Sequence, residues 1–293
     1  MHIETLKVFS DLVELESFSL AAERNFITQS AVSQQIRALE DKFKRRLLER
    51  VRGRREVKLT PAGEVFYREA QTVLAAYHNM EESLRGVVGT IGGTVKVATV
   101  YSVGLHELPV KVREFMTRFP AARIDLEYSR TTRVVRDVLS GAVELGVVAL
   151  PEPRRGLTLT PMPDNRLVLI APIDHKFAKR SKVKVNDLNG QDFVLFERDV
   201  PTRKSMDKIF KTHGIEVRKI AEFDNIETIK RAVEVGFGLA IVPEPAVAEA
   251  RKAGTLAVVQ LAEKYWVRSV GVIHRSDREL SLAAKKFVEL LAG

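Results

Sequence analysis

The sequence predicts an α/β multidomain protein with an N-terminal winged helix-turn-helix, a long linker helix and two Rossmann-like α/β lobes. Three observations carry this prediction. Residues 18–40 read as two short helices joined by a tight polar turn, a basic segment around Gly53 follows them, and from Thr94 onward strands alternate with helices. At 293 residues the chain is long enough for about two or three domains with cores of their own. The expected divisions are 1–60 for the winged helix-turn-helix, 61–89 for the linker helix, 93–164 with 267–293 for the first lobe, and 165–266 for the second.

Ile3, Leu6, Phe9 and Val13 recur at helical spacing and predict a first helix over 3–15, whose apolar face covers the next two. Ser19 is the expected cap of the second helix. In the third, Ala31, Val32, Ile36 and Leu39 can turn inward, while Thr28, Gln29, Ser30, Ser33, Gln34 and Arg37 are left facing outward. A helix with such a face fits the major groove of double-stranded DNA, where Gln and Arg can each make two hydrogen bonds to one base.

Between Lys42 and Lys58 stand nine Lys or Arg against Glu49 and Glu56, which accounts for most of the chain's net charge of +9. A basic cluster directly after such a helix is the footprint of a phosphate-binding surface, although a solvated loop has the same composition. Val57 and Leu59 alternate as in a short strand, so this segment reads as a wing. Its Arg50, Arg52, Arg54, Arg55 and Lys58 would follow the DNA backbone or minor groove, adding affinity more than specificity.

Thr60 and Pro61 open the next helix as N-cap and first helical residue. Along it Phe66, Ala70, Val73, Tyr77, Met80, Leu84 and Val87 step alternately by four and three. That narrow seam predicts a coiled coil joining two copies of the chain, the alternative being a helix lying on its own domain. A two-fold DNA reader needs such a pairing to place two recognition helices on successive half-sites. Gly86 to Gly93 contains four glycines in eight residues and reads as a hinge.

Beyond the hinge, strands at 94–100, 123–128 and 145–150 alternate with helices at 105–119 and 132–139, which implies a parallel sheet covered on both faces. The order of an acidic-aromatic strand end, a basic helix and a strand closing in Pro-Glu-Pro occurs twice. It runs from Glu127-Tyr128 to Pro151-Glu152-Pro153, and again from Glu222-Phe223 to Pro243-Glu244-Pro245. This weak repeat points to two similar lobes. A strand at 269–273 and a helix at 281–291 close the chain.

Composition narrows the chemistry. With no cysteine, disulfides, thiolate catalysis and cysteine-bearing zinc fingers are excluded. The six histidines are scattered without metal-ligand spacing, and neither a Gly-x-Ser-x-Gly elbow nor a Gly-Lys-Ser phosphate loop is present. No metal, cofactor or enzymatic activity is expected. The absence of a basic leader or an apolar run of roughly 20 residues suggests a cytoplasmic protein without membrane contact.

The block Ser19, Ala21, Ala22, Thr28, Gln29, Ser30, Ala31, Val32, Ser33, Ile36, Leu39 and Glu40, followed by Leu47, Arg50, Leu59, Thr60, Pro61, Ala62 and Gly63, resembles the LysR-type transcriptional regulators. Two positions depart from the family's pattern. Asn25 stands where Leu is usual, with Phe26 beside it as the expected replacement anchor. Lys44 stands where Gly is common, which puts in question the tight left-handed helix ending that Gly makes easy.

The resemblance implies a sequence-specific regulator, a homodimer that associates further into a tetramer, and possible contact with RNA polymerase. It also implies that the closing segment returns to the first lobe, so that the chain crosses between lobes twice. Such paired lobes look like the periplasmic binding proteins, which hold a ligand in the cleft between them. The effector expected is a small, anionic molecule of unknown identity.

Ligands of open α/β sheets bind at the carboxyl ends of strands, beside helix N-termini. Three turns qualify. The first offers Thr99, Tyr101 and Ser102; Ser102 can cap the following helix and still reach an anion, and it is the position most readily carried over from the family. The second offers Ser129, Arg130 and Thr131, and the third Thr202 and Arg203 ahead of a helix starting near Pro201. Asn225 lies at the next strand end. Each of these residues also has an ordinary use as a cap or surface side chain.

Overall fold

The computed structural model describes residues 2–49, 57–86 and 91–293. The chain divides into two compact units near residue 90. In the first, α1 (Ile3–Leu15), α2 (Phe18–Arg24) and α3 (Gln29–Phe43) enclose a core of Val8, Phe9, Leu12, Ala21, Ala22, Val32, Ile36 and Leu39. Phe9, Val32, Ile36 and Leu39 are positions the helical spacing marked; Val8 and Leu12 join them, whereas Ile3, Val13 and Ala31, also expected inward, are half-buried. The burial of this face holds the three short helices together.

The capping residue of α2 is Ser17 rather than Ser19: Ser17 is extended, and its hydroxyl accepts from the Leu20 amide at 3.4 Å. Phe26 does not anchor the turn. It is 96 % exposed, at φ 54°. The anchor is Asn25 itself, whose amide donates to buried Asp11 at 2.7 Å and to the Ala21 carbonyl at 2.9 Å. A polar tie thus replaces the apolar plug. Lys44 adopts the left-handed conformation in place of glycine, at φ 52°, and ends α3 tightly all the same. The Glu40 carboxylate then accepts from the amides of Leu47 and Leu48, at 2.8 and 3.3 Å, steering the chain out of the helix.

Leu48 bridges Leu59 in antiparallel fashion, and the Glu49 amide donates to the Lys58 carbonyl at 2.8 Å, forming the base of the wing. The wing residues Arg50, Arg52, Arg54 and Arg55 lie outside the described residues. Helix α4 (Pro61–Gly86) begins at Thr60, whose hydroxyl accepts from the Gly63 amide at 3.0 Å. Phe66 and Ala70, the first seam residues, turn toward the unit's own core, with Phe66 edge-on to Phe9 at 5.0 Å. Val73, Tyr77, Met80 and Leu84 are exposed; Val87 lies outside the described residues.

The second unit runs β1 (Gly92–Thr99), α5 (Tyr101–Gly104), α6 (Leu108–Arg118), β2 (Ala121–Tyr128), α7 (Thr131–Ser140), β3 (Leu145–Ala149), β4 (Leu157–Ala171), β5 (Lys182–Val183), β6 (Asp192–Phe196), α8 (Pro201–His213), β7 (Arg218–Phe223), α9 (Ile226–Glu234), β8 (Ala240–Pro243), α10 (Ala248–Ala253), β9 (Ala257–Leu261), β10 (Val267–Arg275) and α11 (Leu282–Ala292). The helix expected over 105–119 is α6, which starts at Leu108 with Pro109 in its first turn, where an amide donor is not needed; the short α5 precedes it.

Sheet order is β2-β1-β3-β10-β4-β9-β5, with β8 also paired to β4, and β6 and β7 form a separate pair. β1 is parallel to β2 and β3, whereas β10 is antiparallel to both β3 and β4. The sheet is therefore mixed, not the parallel one the alternation implied. The long strands β4 and β10 connect the lobes in opposite directions, which makes them antiparallel neighbours. Up to Arg166, β4 pairs with β10; from Leu167 it pairs with β8 and β9. The chain thus leaves lobe I through β4 and returns through β10. Phe115, Val147, Val272 and Phe287 lie in the lobe I core, and Leu169, Phe193, Ile229 and Val242 in that of lobe II.

Candidate functional site

Helix α3 turns its polar side chains outward. Thr28, Gln29, Ser30, Gln34 and Arg37 are exposed and Ser33 is half-buried. Thr28 is partly engaged: its hydroxyl accepts from the Ala31 amide at 3.2 Å and lies 2.9 Å from the Ser30 hydroxyl. That cap fixes the helix N-terminus, the end that would approach base edges. The side chains of Gln29, Gln34 and Arg37 make no hydrogen bond among the described residues. Gln29, Ser33 and Arg37 are spaced by four and share one stripe, while exposed Lys58 lies at the base of the wing.

In the second unit, a cavity of about 80 Å³ opens between the lobes. A water needs roughly 10–15 Å³ by the same measure, so there is room for a molecule of several heavy atoms. Lobe I contributes Tyr101 and Ser102 from α5 and the turn Ser129-Arg130-Thr131-Thr132; lobe II contributes Phe196, Asp199-Val200-Pro201-Thr202, Asp224 and Ile226. The first turns of α7, α8 and α9 all reach it. Unpaired amides at such termini favour an anion.

Two cations shape this cleft differently. Arg130 donates to Asp199 at 2.9 Å, Glu197 at 3.0 Å and Asp224 at 2.9 Å, a contact from lobe I to three carboxylates of lobe II. Its hydrogen bond to Asp224, and then the charges of Asp199 and Glu197, raise its pKa above the ordinary arginine value. Arg268, on β10, is buried behind Ser102, and burial draws its pKa down to about 10 against the opposing charge of Glu107. Burial likewise raises the Glu107 carboxyl, with Asn165 and Arg268 working against the rise.

Residues 3–64 match the family described as "Bacterial regulatory helix-turn-helix protein, lysR family", and residues 89–293 match the "LysR substrate binding domain". The chain belongs to the LysR family. A relative named "Probable RuBisCO transcriptional regulator", from Cyanophora paradoxa, is 31% identical over 293 residues, covering 98% of this chain and 90% of that protein. Among solved structures, a full-length OxyR variant from Pseudomonas aeruginosa has a TM-score of 0.77 at 23% identity, covering 100% of this chain and 93% of that one. Full-length CbnR complexed with its target DNA has a TM-score of 0.71 at 23% identity and 99% coverage of both chains. The regulatory domain of Synechocystis PCC6803 CcmR, in complex with 2-PG, has a TM-score of 0.62 at 24% identity, covering 68% of this chain and 96% of that one.

As a LysR-family transcriptional regulator, the chain joins a helix-turn-helix to an effector-binding domain. Of the cleft residues expected from sequence, the fold brings together Tyr101, Ser102, Ser129, Arg130, Thr131 and Thr202. Three others lie elsewhere. Thr99 is buried and donates to the Val147 carbonyl at 3.2 Å, tying β1 to β3. Arg203 turns into lobe II, donating to Asp207, Glu222 and the Phe196 carbonyl. Asn225 caps α9 through a bond from the Glu227 amide at 2.8 Å. Ser102 is not a cap: it lies inside α5, whose N-cap is Val100.

Sequence reasoning missed Asp199, Asp224, Glu107 and Arg268. The last carried a signal, being the single charge in the run from Trp266 to Ile273. The Asp207 that engages Arg203 was also visible as its i+4 neighbour on α8. No helix among the described residues is long and apolar enough to cross a membrane, and none of their His, Asp and Glu side chains group in a way that could hold a metal.

Proposed function

We propose that α3 reads base edges of double-stranded DNA through Gln29, Gln34 and Arg37, supported by Thr28, Ser30 and Ser33, while Lys58 and the wing residues Arg50, Arg52 and Arg54 hold the phosphate backbone. The observation that carries this is the outward stripe of unengaged amide and guanidinium groups on a helix whose N-terminus is capped and whose opposite face is buried. The exposed seam of Val73, Tyr77, Met80 and Leu84 pairs two chains into a homodimer that can place two such helices on one operator. Association of dimers into tetramers and contact with RNA polymerase follow the same reading, as does a cytoplasmic location.

The cleft binds a small anionic effector and performs no catalysis. The converging helix N-termini and hydroxyls support that class, as does the 2-PG held by the CcmR domain. No cofactor or metal is needed.

Gln29→Ala and Arg37→Ala test the DNA reading. Each removes groups able to hydrogen-bond a base and should weaken specific DNA binding by about 5- to 150-fold, from roughly 1–3 kcal/mol per bidentate contact, with the circular dichroism spectrum unchanged. Unchanged affinity in both variants would contradict the assignment.

A further inference from the structure

Arg268 is 1 % exposed. A guanidinium at that depth is strongly disfavoured unless its donors find partners. Its Nε and Nη2 donate to the Asn165 side-chain oxygen at 3.0 and 2.9 Å, and Nη2 also donates to Glu107 at 3.3 Å. Asn165 in turn donates to the second Glu107 oxygen at 3.0 Å. This closed circuit is enough to hold the charge in place. One contact lies outside it: Nη1 donates to Ser102 Oγ at 2.9 Å. Of the residues in this network, Ser102 alone lines the cleft.

A hydroxyl has one proton to give and two lone pairs. Because Ser102 Oγ accepts from Arg268 on its inner side, its proton is left for an acceptor elsewhere, and no such acceptor is bonded to it among the described residues. The other cation at the cleft, Arg130, is already surrounded by three carboxylates. Among the hydroxyls lining the cleft, that of Ser102 accepts from a buried cation, which leaves its proton for an acceptor elsewhere.

We infer that Arg268 is a positioning residue for the effector: from behind the cleft wall it fixes the Ser102 hydroxyl as a donor, so that the ligand presents an anionic acceptor oxygen, of carboxylate or phosphate class, at that point. The inference rests on the cleft being the effector site. It also moves the source of anion preference from the visible surface arginine to a buried one, 166 residues distant from Ser102 in sequence.

Titration calorimetry of the full chain with inorganic phosphate tests this. Arg268→Lys keeps a positive charge beside Glu107 but lacks the planar fork that reaches Asn165 and Ser102 together. Arg268→Lys and Ser102→Ala should each weaken phosphate binding about tenfold, and the double variant should be no weaker than either single one, because both remove the same donor. A role confined to folding would lower affinity by the same factor with and without Ser102→Ala, and that additivity would overturn the inference.

Glu107→Gln provides a second arm that needs no change at Arg268. It relieves the neutralisation of the guanidinium, so phosphate should bind severalfold tighter; weaker or unchanged binding counts against the inference. If the unaltered chain takes up no phosphate, the cleft reading falls with it. If the unaltered chain binds and all variants match it, the inference alone falls.

Discussion

Arg130 Nη2 and Asp224 Oδ2 meet at 2.9 Å across the cleft, joining the turn after β2 in lobe I to the turn after β7 in lobe II. Glu197 and Asp199 share the same guanidinium, so three negative charges face one positive charge. All four side chains are substantially exposed, and exposed ion pairs hold weakly and yield to salt. The link is one an incoming ligand can exchange. Arg130→Gln leaves three carboxylates facing the cleft unopposed and should weaken phosphate binding roughly two- to fivefold, while Asp224→Asn should strengthen it by a similar factor. Calorimetry at low and high salt checks both signs, and the difference should shrink as salt rises.

Gly63 occupies a place that admits no side chain. A Cβ there would come within 2.0 Å of the Leu47 carbonyl oxygen, the group that accepts from the Thr60 amide where the wing returns to α4. Backbone cannot yield as a side-chain end can. Gly63→Ala should lower the stability of the first unit by at least about 1–3 kcal/mol, read as a fall in denaturation midpoint. An unchanged midpoint would contradict the packing described.

The exposed half of the α4 seam gives a third expectation. Met80 is 52 % and Leu84 65 % exposed, more than a lone helix needs to show of its apolar stripe. Met80→Glu with Leu84→Glu should halve the mass seen by sedimentation equilibrium, and operator affinity should drop at least about a hundredfold as one half-site is lost. Retention of the dimer would place the interface elsewhere.

Stability should also depend on pH through His106. Burial holds its pKa below the ordinary value of 6.5; Glu227, 2.9 Å from Nε2, opposes that shift, and Lys230 and Arg268 add to it. The unfolded chain therefore takes up the proton first. Stability is full above about pH 6.5 and declines as pH falls below it, until the folded imidazole itself protonates. His106→Gln should reduce the loss in melting temperature between about pH 7.5 and 5.5. Some loss should remain, because burial also lowers His175. A slope equal to that of the unaltered chain would contradict the assignment.

Much of this architecture was legible because local pattern decides it. The 3.6-residue period of Val32, Ile36 and Leu39 fixes the inward face of α3, and with it the outward one. Boundaries were harder: Ser17 and Ser19 are equally good capping residues in composition, and only the extended backbone at Ser17 separates them. Phe26 reads as an anchor by hydrophobicity alone, but the preference of Asn25 for Asp11 leaves the aromatic ring outside. The mixed sheet was hidden because strand direction follows from two crossings far apart in the chain. The cleft was half legible. Turns at strand ends are local and marked Ser102, Ser129, Arg130 and Thr202, whereas the Arg268 network joins positions 102, 107, 165 and 268, which no local pattern connects.

In the proposed function the capped, outward face of α3 reads base sequence as one half of a dimer. Selection of bound sequences from a random DNA pool, with full-length protein at physiological salt, tests it most directly. An enriched interrupted inverted repeat is expected, with half-sites spaced by whole helical turns and bound about 10³-fold or more tighter than random DNA. A pool that returns unenriched, with binding that depends steeply on salt alone, would mean that basic residues hold phosphates without reading bases, and would contradict it.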